Sequence, residues 1–267
     1  MYKTIVIEGG DGVGKSTLAK ALARNLSRRE GYEGFFMRFP SEAVEGFREF
    51  FLRQKGCRPL LEDNEVRWSS TYTSSIPPLT NLLHILADFS YVFSALPNAP
   101  DVVAAHRRGN TPVFVIDREL ISTIVYQILY AFDLGKAEFD YVIEEKVHLF
   151  EVMKNIVAST PVDTTHNLLV HIRPENDKIK LTTDNSFDLY DQPQIQKHFA
   201  DMYEAIVDTP RRSLSFLHQN GNVEWLRNRF RATTELQAFS ESSEALADQV
   251  AEIFLEEERE LAAGSIQ

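Results

Sequence analysis

The chain has a single cysteine among its 267 residues, Cys57, so no internal disulfide can staple it. One thiol in an otherwise ordinary composition fits a reducing compartment, and a soluble cytoplasmic protein is the expectation. Long hydrophobic runs are missing too. The longest, Leu82 to Leu96, is too short to span a bilayer and carries His84 and Asp88. The N-terminus enters a strand pattern directly, without a basic stretch followed by an apolar one, so no secretory leader is expected. Excess positive charge is also lacking, since 28 Lys+Arg stand against 39 Asp+Glu for a net charge of −11. That balance argues against a broad attraction to anionic membranes, and no strong general nucleic-acid binding is expected. His84, His148, His166 and His171 are not spaced as metal ligands and read as core or surface residues. There is no internal repeat and no low-complexity segment.

What is present is a composition able to bury a core, 43% hydrophobic and 25% charged. Thr4 to Ile7 are short, β-branched or apolar, and unbroken, which suits a buried parallel strand. Gly9-x-x-x-x-Gly14-Lys15-Ser16 then matches the phosphate-binding P-loop pattern in full. From Ser16 to Leu26 the spacing turns helical, with Leu18, Ala19, Leu22, Ala23 and Leu26 on one face. Strand, glycine loop and helix are the context this motif requires. In it, Gly9, Gly10, Asp11, Gly12, Val13, Gly14, Lys15, Ser16 and Thr17 would wrap a triphosphate with inward backbone N–H groups and a helix N-terminus. Lys15 would reach the β- and γ-phosphates and Ser16 would ligate Mg²⁺, which makes ATP and Mg²⁺ the expected cofactors.

Further along, Gly34 to Phe39 reads as a second strand and 42–55 as a helix. Residues 56–78 form a long connection without periodicity. Leu79 to Leu96 is strongly helical. A shorter helix is expected over 102–108 with Asp101 as its cap, then a buried strand over 112–118. Helices are expected at 121–132 and 138–157, and a fourth strand at 167–172. A polar stretch over 173–191 suits a lid carrying Arg173, Lys178 and Lys180, followed by a helix at 194–207. Residues 211–231 read as ambiguous helical pieces, 234–239 as a fifth strand, and Ser240 as the cap of a last helix. The acidic run Glu256 to Glu260 reads as a solvated helix face. The expected fold is α/β: a single three-layer P-loop NTPase domain over 1–267, with a parallel sheet of about five strands flanked by helices. Residues 56–78 and 211–231 are its insertions.

Ligands of an open parallel sheet bind beyond the carboxyl ends of its strands. There Asp117, closing the third strand, could hold Mg²⁺ directly or through water, or could be a structural carboxylate paired with Arg118. Arg118 suits bidentate phosphate binding better than a lysine would. Because Lys15 is the only basic side chain in the loop, further catalytic charge must come from elsewhere.

The sequence resembles the thymidylate kinases from residue 3 to about 207. The likeness rests on the loop Glu8 to Thr17, on Arg38-Phe39-Pro40, on Ala87-Asp88, and on Asp117-Arg118-x-x-x-Ser122-x-x-x-Tyr126-Gln127. The resemblance implies transfer of the γ-phosphoryl of ATP to a deoxynucleoside monophosphate, with Asp11 reaching the acceptor sugar. It implies substrate contacts from Arg38, Phe39, Pro40, Ile85, Phe89, Arg118, Ser122, Tyr126 and Gln127, and dimerisation of the chain. Three positions depart from the pattern. Phe89 stands where the family reads the base with arginine, Glu42 where one subgroup has arginine, and Glu119 where an aromatic follows Asp-Arg. Glu42 opens an alternative. A hydroxyl acceptor, on a deoxynucleoside or on a hydroxymethylated pyrimidine in a nucleotide or in DNA, gains from a carboxylate that takes its proton. A surface glutamate favoured by the helix dipole would explain Glu42 equally well. A non-catalytic nucleotide-binding protein is the remaining reading, and the retained Asp117, Arg118, Ser122 and Gln127 argue against it.

Overall fold

The apolar run at the start of the chain becomes strand β1 (Lys3–Gly9), buried from Thr4 onward. The structure is a computed structural model; it describes residues 2–10, 12–41, 44, 60–62, 65–67, 78–125, 139–161, 163–173, 203 and 222–264. After β1 come helix α1 (Lys15–Leu26) and strand β2 (Tyr32–Arg38), then two short strands, β3 (Leu60–Glu62) and β4 (Glu65–Arg67). Helices α2 (Pro78–Ala95) and α3 (Pro100–Arg107) lead to β5 (Thr111–Asp117) and the short α4 (Leu120–Thr123). The rest comprises α5 (Phe139–Ser159), β6 (His166–Arg173), α6 (Asn222–Arg227), β7 (Phe230–Gln237) and α7 (Ser243–Gly264). None of the described helices is long and apolar enough to cross a membrane.

Five strands form one sheet in the order β2–β5–β1–β6–β7, every neighbouring pair parallel. Parallel neighbours need crossovers, and the helices that supply them cover both faces. Alternation along β1 divides the core. Ile5 and Ile7 pack with Leu18, Leu22 and Leu26 of α1 and with Val250 and Phe254 of α7. Val6 faces the other way, toward Leu82, Leu86 and Phe93 of α2 and Phe150 and Met153 of α5. Each such side chain contributes about 1.5–3 kcal/mol on burial, so both layers hold the sheet from two sides.

Several boundaries differ from the sequence expectation. β2 begins at Tyr32 rather than Gly34, because it pairs with β5 from Tyr32↔Thr111 onward. Within 56–78, expected to lack periodicity, β3 and β4 pair antiparallel. Helix α3 starts at Pro100, so Asp101 lies in its first turn and does not cap it. Proline fits that turn because no intrahelical partner awaits its missing N–H. β7 starts at Phe230, inside the segment read as ambiguous. As an edge strand it buries little beyond Phe230 and Leu236, which weakens its pattern. The cap of α7 is Ser242, whose Oγ accepts from the Ala245 N–H at 3.2 Å, while Ser240 bonds back to Gln237. Glu258, in the acidic run, is turned inward to Lys3 (2.7 Å) and to the Asn167 amide (2.8 Å). The expected helices at 42–55 and 194–207 lie outside the described residues, apart from buried Val44 and Tyr203.

Candidate active site

The glycine loop is shaped by how closely β1 and β6 approach. Gly9 pairs with Ile172 and has φ 147°, and a Cβ there would sit 2.5 Å from the Ile172 carbonyl oxygen. No other residue fits that contact. Gly12 and Gly14 also have positive φ, 74° and 88°, and Gly14 is the N-cap of α1. This turn aims the first residues of α1 back over the carboxyl end of β1. Lys15 is buried, and its ammonium donates to the Gly10 carbonyl. Burial lowers its pKa to about 8, partly opposed by the negative charges of Asp117 and Glu8, with Arg38 pushing it down further. Ser16 and Thr17 are exposed at the helix start.

β5 brings the second half of the site. Asp117 lies in register with Ile7 on one side and Arg38 on the other, so Arg38 and Asp117 end neighbouring strands at the same level. The Ser16 hydroxyl donates to Asp117 Oδ2, while Oδ1 is buried without a hydrogen-bond partner. A buried carboxylate oxygen left unpaired beside a serine hydroxyl is costly alone and is well matched to a hard cation that prefers oxygen ligands. These residues therefore fit Mg²⁺. Arg118 follows with φ 71°, held by its N–H to the Ile7 carbonyl at 3.0 Å.

Behind this edge lies Glu8, fully buried at the end of β1. Its carboxylate accepts from the Glu119 N–H (2.6 Å), the Ser122 N–H (3.2 Å) and the Ser122 hydroxyl (2.5 Å), and Ser122 lies 2.7 Å from the Tyr203 hydroxyl. Burial raises the Glu8 pKa to about 7, against those three hydrogen bonds and the Arg118 charge. Ser122, expected to meet substrate, is thus held between Glu8 and Tyr203 and is itself buried. Glu8 was open to sequence reasoning by the signal that singles out Asp117, a carboxylate closing an apolar strand. Tyr203 carried no such signal.

The Arg38-Phe39-Pro40 segment leaves β2 with Arg38 exposed and Phe39 buried, its ring edge-on to Phe89 with centroids 5.9 Å apart. Ser41 donates its N–H (2.8 Å) and its hydroxyl to Asp88 of α2, which ties this segment to that helix. Ile85 and Phe89, expected to face a base, lie in the core at 2% and 0% exposure. Their spacing explains it: 82, 85, 86, 89 and 93 form a single stripe of α2, and the whole stripe faces the sheet. Arg173, expected in a lid, ends β6 and pairs with Glu235 at 2.9 Å. Asp11, Glu42, Tyr126, Gln127, Lys178 and Lys180 lie outside the described residues.

The strand order, the helices on both faces and the glycine loop joining β1 to α1 are together those of a P-loop kinase fold. Among solved structures, the chain is similar to a thymidylate kinase from Candida albicans. The TM-score is 0.52 at 14% identity, with 96% of this chain and 92% of that chain covered. No protein-family model matches the sequence, and no curated protein does. At that identity the likeness is one of fold.

Proposed function

We propose that this chain transfers the γ-phosphoryl group of ATP to a deoxynucleoside monophosphate. The observation that carries the reading is the meeting of Lys15, Ser16, Asp117 and Arg38 at the carboxyl ends of β1, β5 and β2. Phosphoryl transfer asks the protein for positioned positive charge more than for covalent chemistry. Lys15 would release the Gly10 carbonyl and pair with the β- and γ-phosphates. Arg118 would add charge on the moving group, and exposed Arg38 would lie between donor and acceptor phosphates. Ser16 and Asp117 would hold Mg²⁺, which when bound neutralises charge on the phosphate oxygens.

Two features support a monophosphate as the acceptor. A monophosphate brings an oxygen already ionised, so it needs cations and no base. Among the described residues, Glu8, Asp88 and Glu119 are buried and hydrogen-bonded, and none of them is presented to an acceptor; Glu42, the base of the hydroxyl-acceptor alternative, lies outside the described residues. The fold likeness to a thymidylate kinase supports the same acceptor class. The test is ADP release from ATP and Mg²⁺ across dTMP, dUMP, hydroxymethyl-dUMP, dCMP and dGMP. Turnover with at least one is expected, and no turnover with any overturns the reading.

A further inference from the structure

Directly after Asp117-Arg118 the chain places Glu119, where the thymidylate-kinase pattern has an aromatic residue. The structure gives this glutamate an unusual setting. Glu119, His166 and Arg229 are 0%, 0% and 6% exposed, and they come from the turn after β5, the start of β6 and the turn before β7. Arg229 Nη2 donates to Glu119 Oε1, and the His166 ring nitrogen Nε2 lies 3.2 Å from the same oxygen. The other His166 nitrogen is 3.0 Å from the Thr4 hydroxyl. Glu119 Oε2 accepts from the Leu120 N–H, so one carboxylate both pairs with Arg229 and starts α4. The cluster is walled by aromatic rings. The Arg229 guanidinium lies 5.5 Å from the Phe89 ring and 5.6 Å from that of Trp225, and His166 stacks on Phe230 with centroids 5.4 Å apart.

A buried ion pair is weak evidence for stability, because well-packed apolar side chains of similar volume often serve as well. What apolar side chains cannot do is fix the direction of the main chain through named hydrogen bonds. Glu119 is fixed at its N–H by Glu8 and at both carboxylate oxygens. Its neighbour Arg118 has φ 71°, a conformation disfavoured for any residue but glycine and kept only where the surroundings over-determine it. On its other side, Asp117 is held by β5 and by its carbonyl, which accepts from the Phe39 N–H at 3.1 Å.

We infer that the Glu119–Arg229 ion pair, braced by His166, is a positioning device that holds Arg118 in its left-handed turn and thereby sets where its guanidinium meets nucleotide phosphate. The role given to Arg118 rests on the proposed function; the clamp itself rests on the geometry above. Glu119 and Arg229 are buried, and in this role they act through Arg118.

A double-mutant cycle on nucleotide affinity tests this, using fluorescence titration with mant-ATP in EDTA and thermal melting of each variant as a check on folding. Arg118→Ala weakens binding by about tenfold, the loss expected for one charge-assisted contact. Glu119→Gln weakens it by about fivefold in the parent chain and by less than about twofold in the Arg118→Ala background, because the two act as a unit. Equal losses in both backgrounds, or no loss in the parent chain, overturn the positioning role whatever happens to melting temperature. Should Glu119→Gln not fold, Arg229→Lys takes its place in the same cycle, with the same pattern expected and the same pattern overturning. A parent chain that binds no mant-ATP overturns the proposed function and this inference with it, whereas binding with additive losses overturns the inference alone.

Discussion

Ser16 and Asp117 are hydrogen-bonded side chain to side chain although 101 positions separate them in the chain. The contact joins the first turn of α1 to the last residue of β5 and leaves Asp117 Oδ1 buried with no hydrogen-bond partner. Both oxygens suit a hard divalent ion, which prefers carboxylate and hydroxyl ligands. Asp117→Asn should keep the Ser16 contact and the fold while removing the negative charge. Nucleotide affinity measured with and without Mg²⁺ then loses most of its metal dependence, and turnover falls by about a hundredfold. A variant whose affinity responds to Mg²⁺ as the parent does would remove Asp117 from the metal site.

Lys15 leads to a prediction about protons. Burial holds its pKa near 8, below the usual 10.5, and bound phosphate opposes that shift. Above pH 8 the free chain is therefore largely deprotonated at Lys15 while the nucleotide complex is protonated. Binding in EDTA at about pH 8.5–9 takes up a proton, and affinity declines as pH rises through this range. Calorimetry in two buffers of different ionisation enthalpy reads the uptake directly. Lys15→Gln abolishes it; uptake that persists in this variant would assign the proton to another group.

Glu8 bears on stability. Its folded-state pKa is about 7, above the ordinary 4.5 of a glutamate, chiefly through burial. A carboxyl raised in this way supports the fold at low pH, and that support is lost as pH rises through the folded value. The parent chain should therefore lose ground against Glu8→Gln between pH 5 and pH 8, by up to about 3 kcal/mol. Urea unfolding of both proteins across that range measures the difference. A pH-independent gap would mean that the three hydrogen bonds from Glu119 and Ser122 keep the carboxylate ionised throughout.

Much of the fold was legible in advance, for identifiable reasons. β1, the glycine loop and α1 declare themselves within residues 3–26, because period, glycine placement and helix start are short-range signals. β5 and β6 are buried on both faces and read as continuous apolar runs, so each was placed to within a residue or so. The edge strands are harder to bound. β2 starts two residues before its expected position and β7 four before, because one side of each is unpaired; β7 alternates polar exposed positions with few buried ones, and β2 has no fully buried residue at all. The same limit applies to function. A family pattern assigns a position but not its surroundings, so Ile85 and Phe89, which the resemblance offers as substrate contacts, lie instead where α2 presses onto the sheet.

Local signals along the chain specify the glycine loop, the α/β alternation and the Asp117-Arg118 pair after a buried strand. Glycine's freedom at positive φ, side-chain period and strand hydrophobicity all act between near neighbours in the chain. Which charged groups work together is set by the folded chain. It set Ser122 on Glu8 across 114 positions, Glu119 on Arg229 across 110, and Ser16 on Asp117 across 101. Burial and pairing fix whether a carboxyl is ionised, satisfied or waiting for a ligand, and both depend on groups that only the folded chain brings within hydrogen-bond reach.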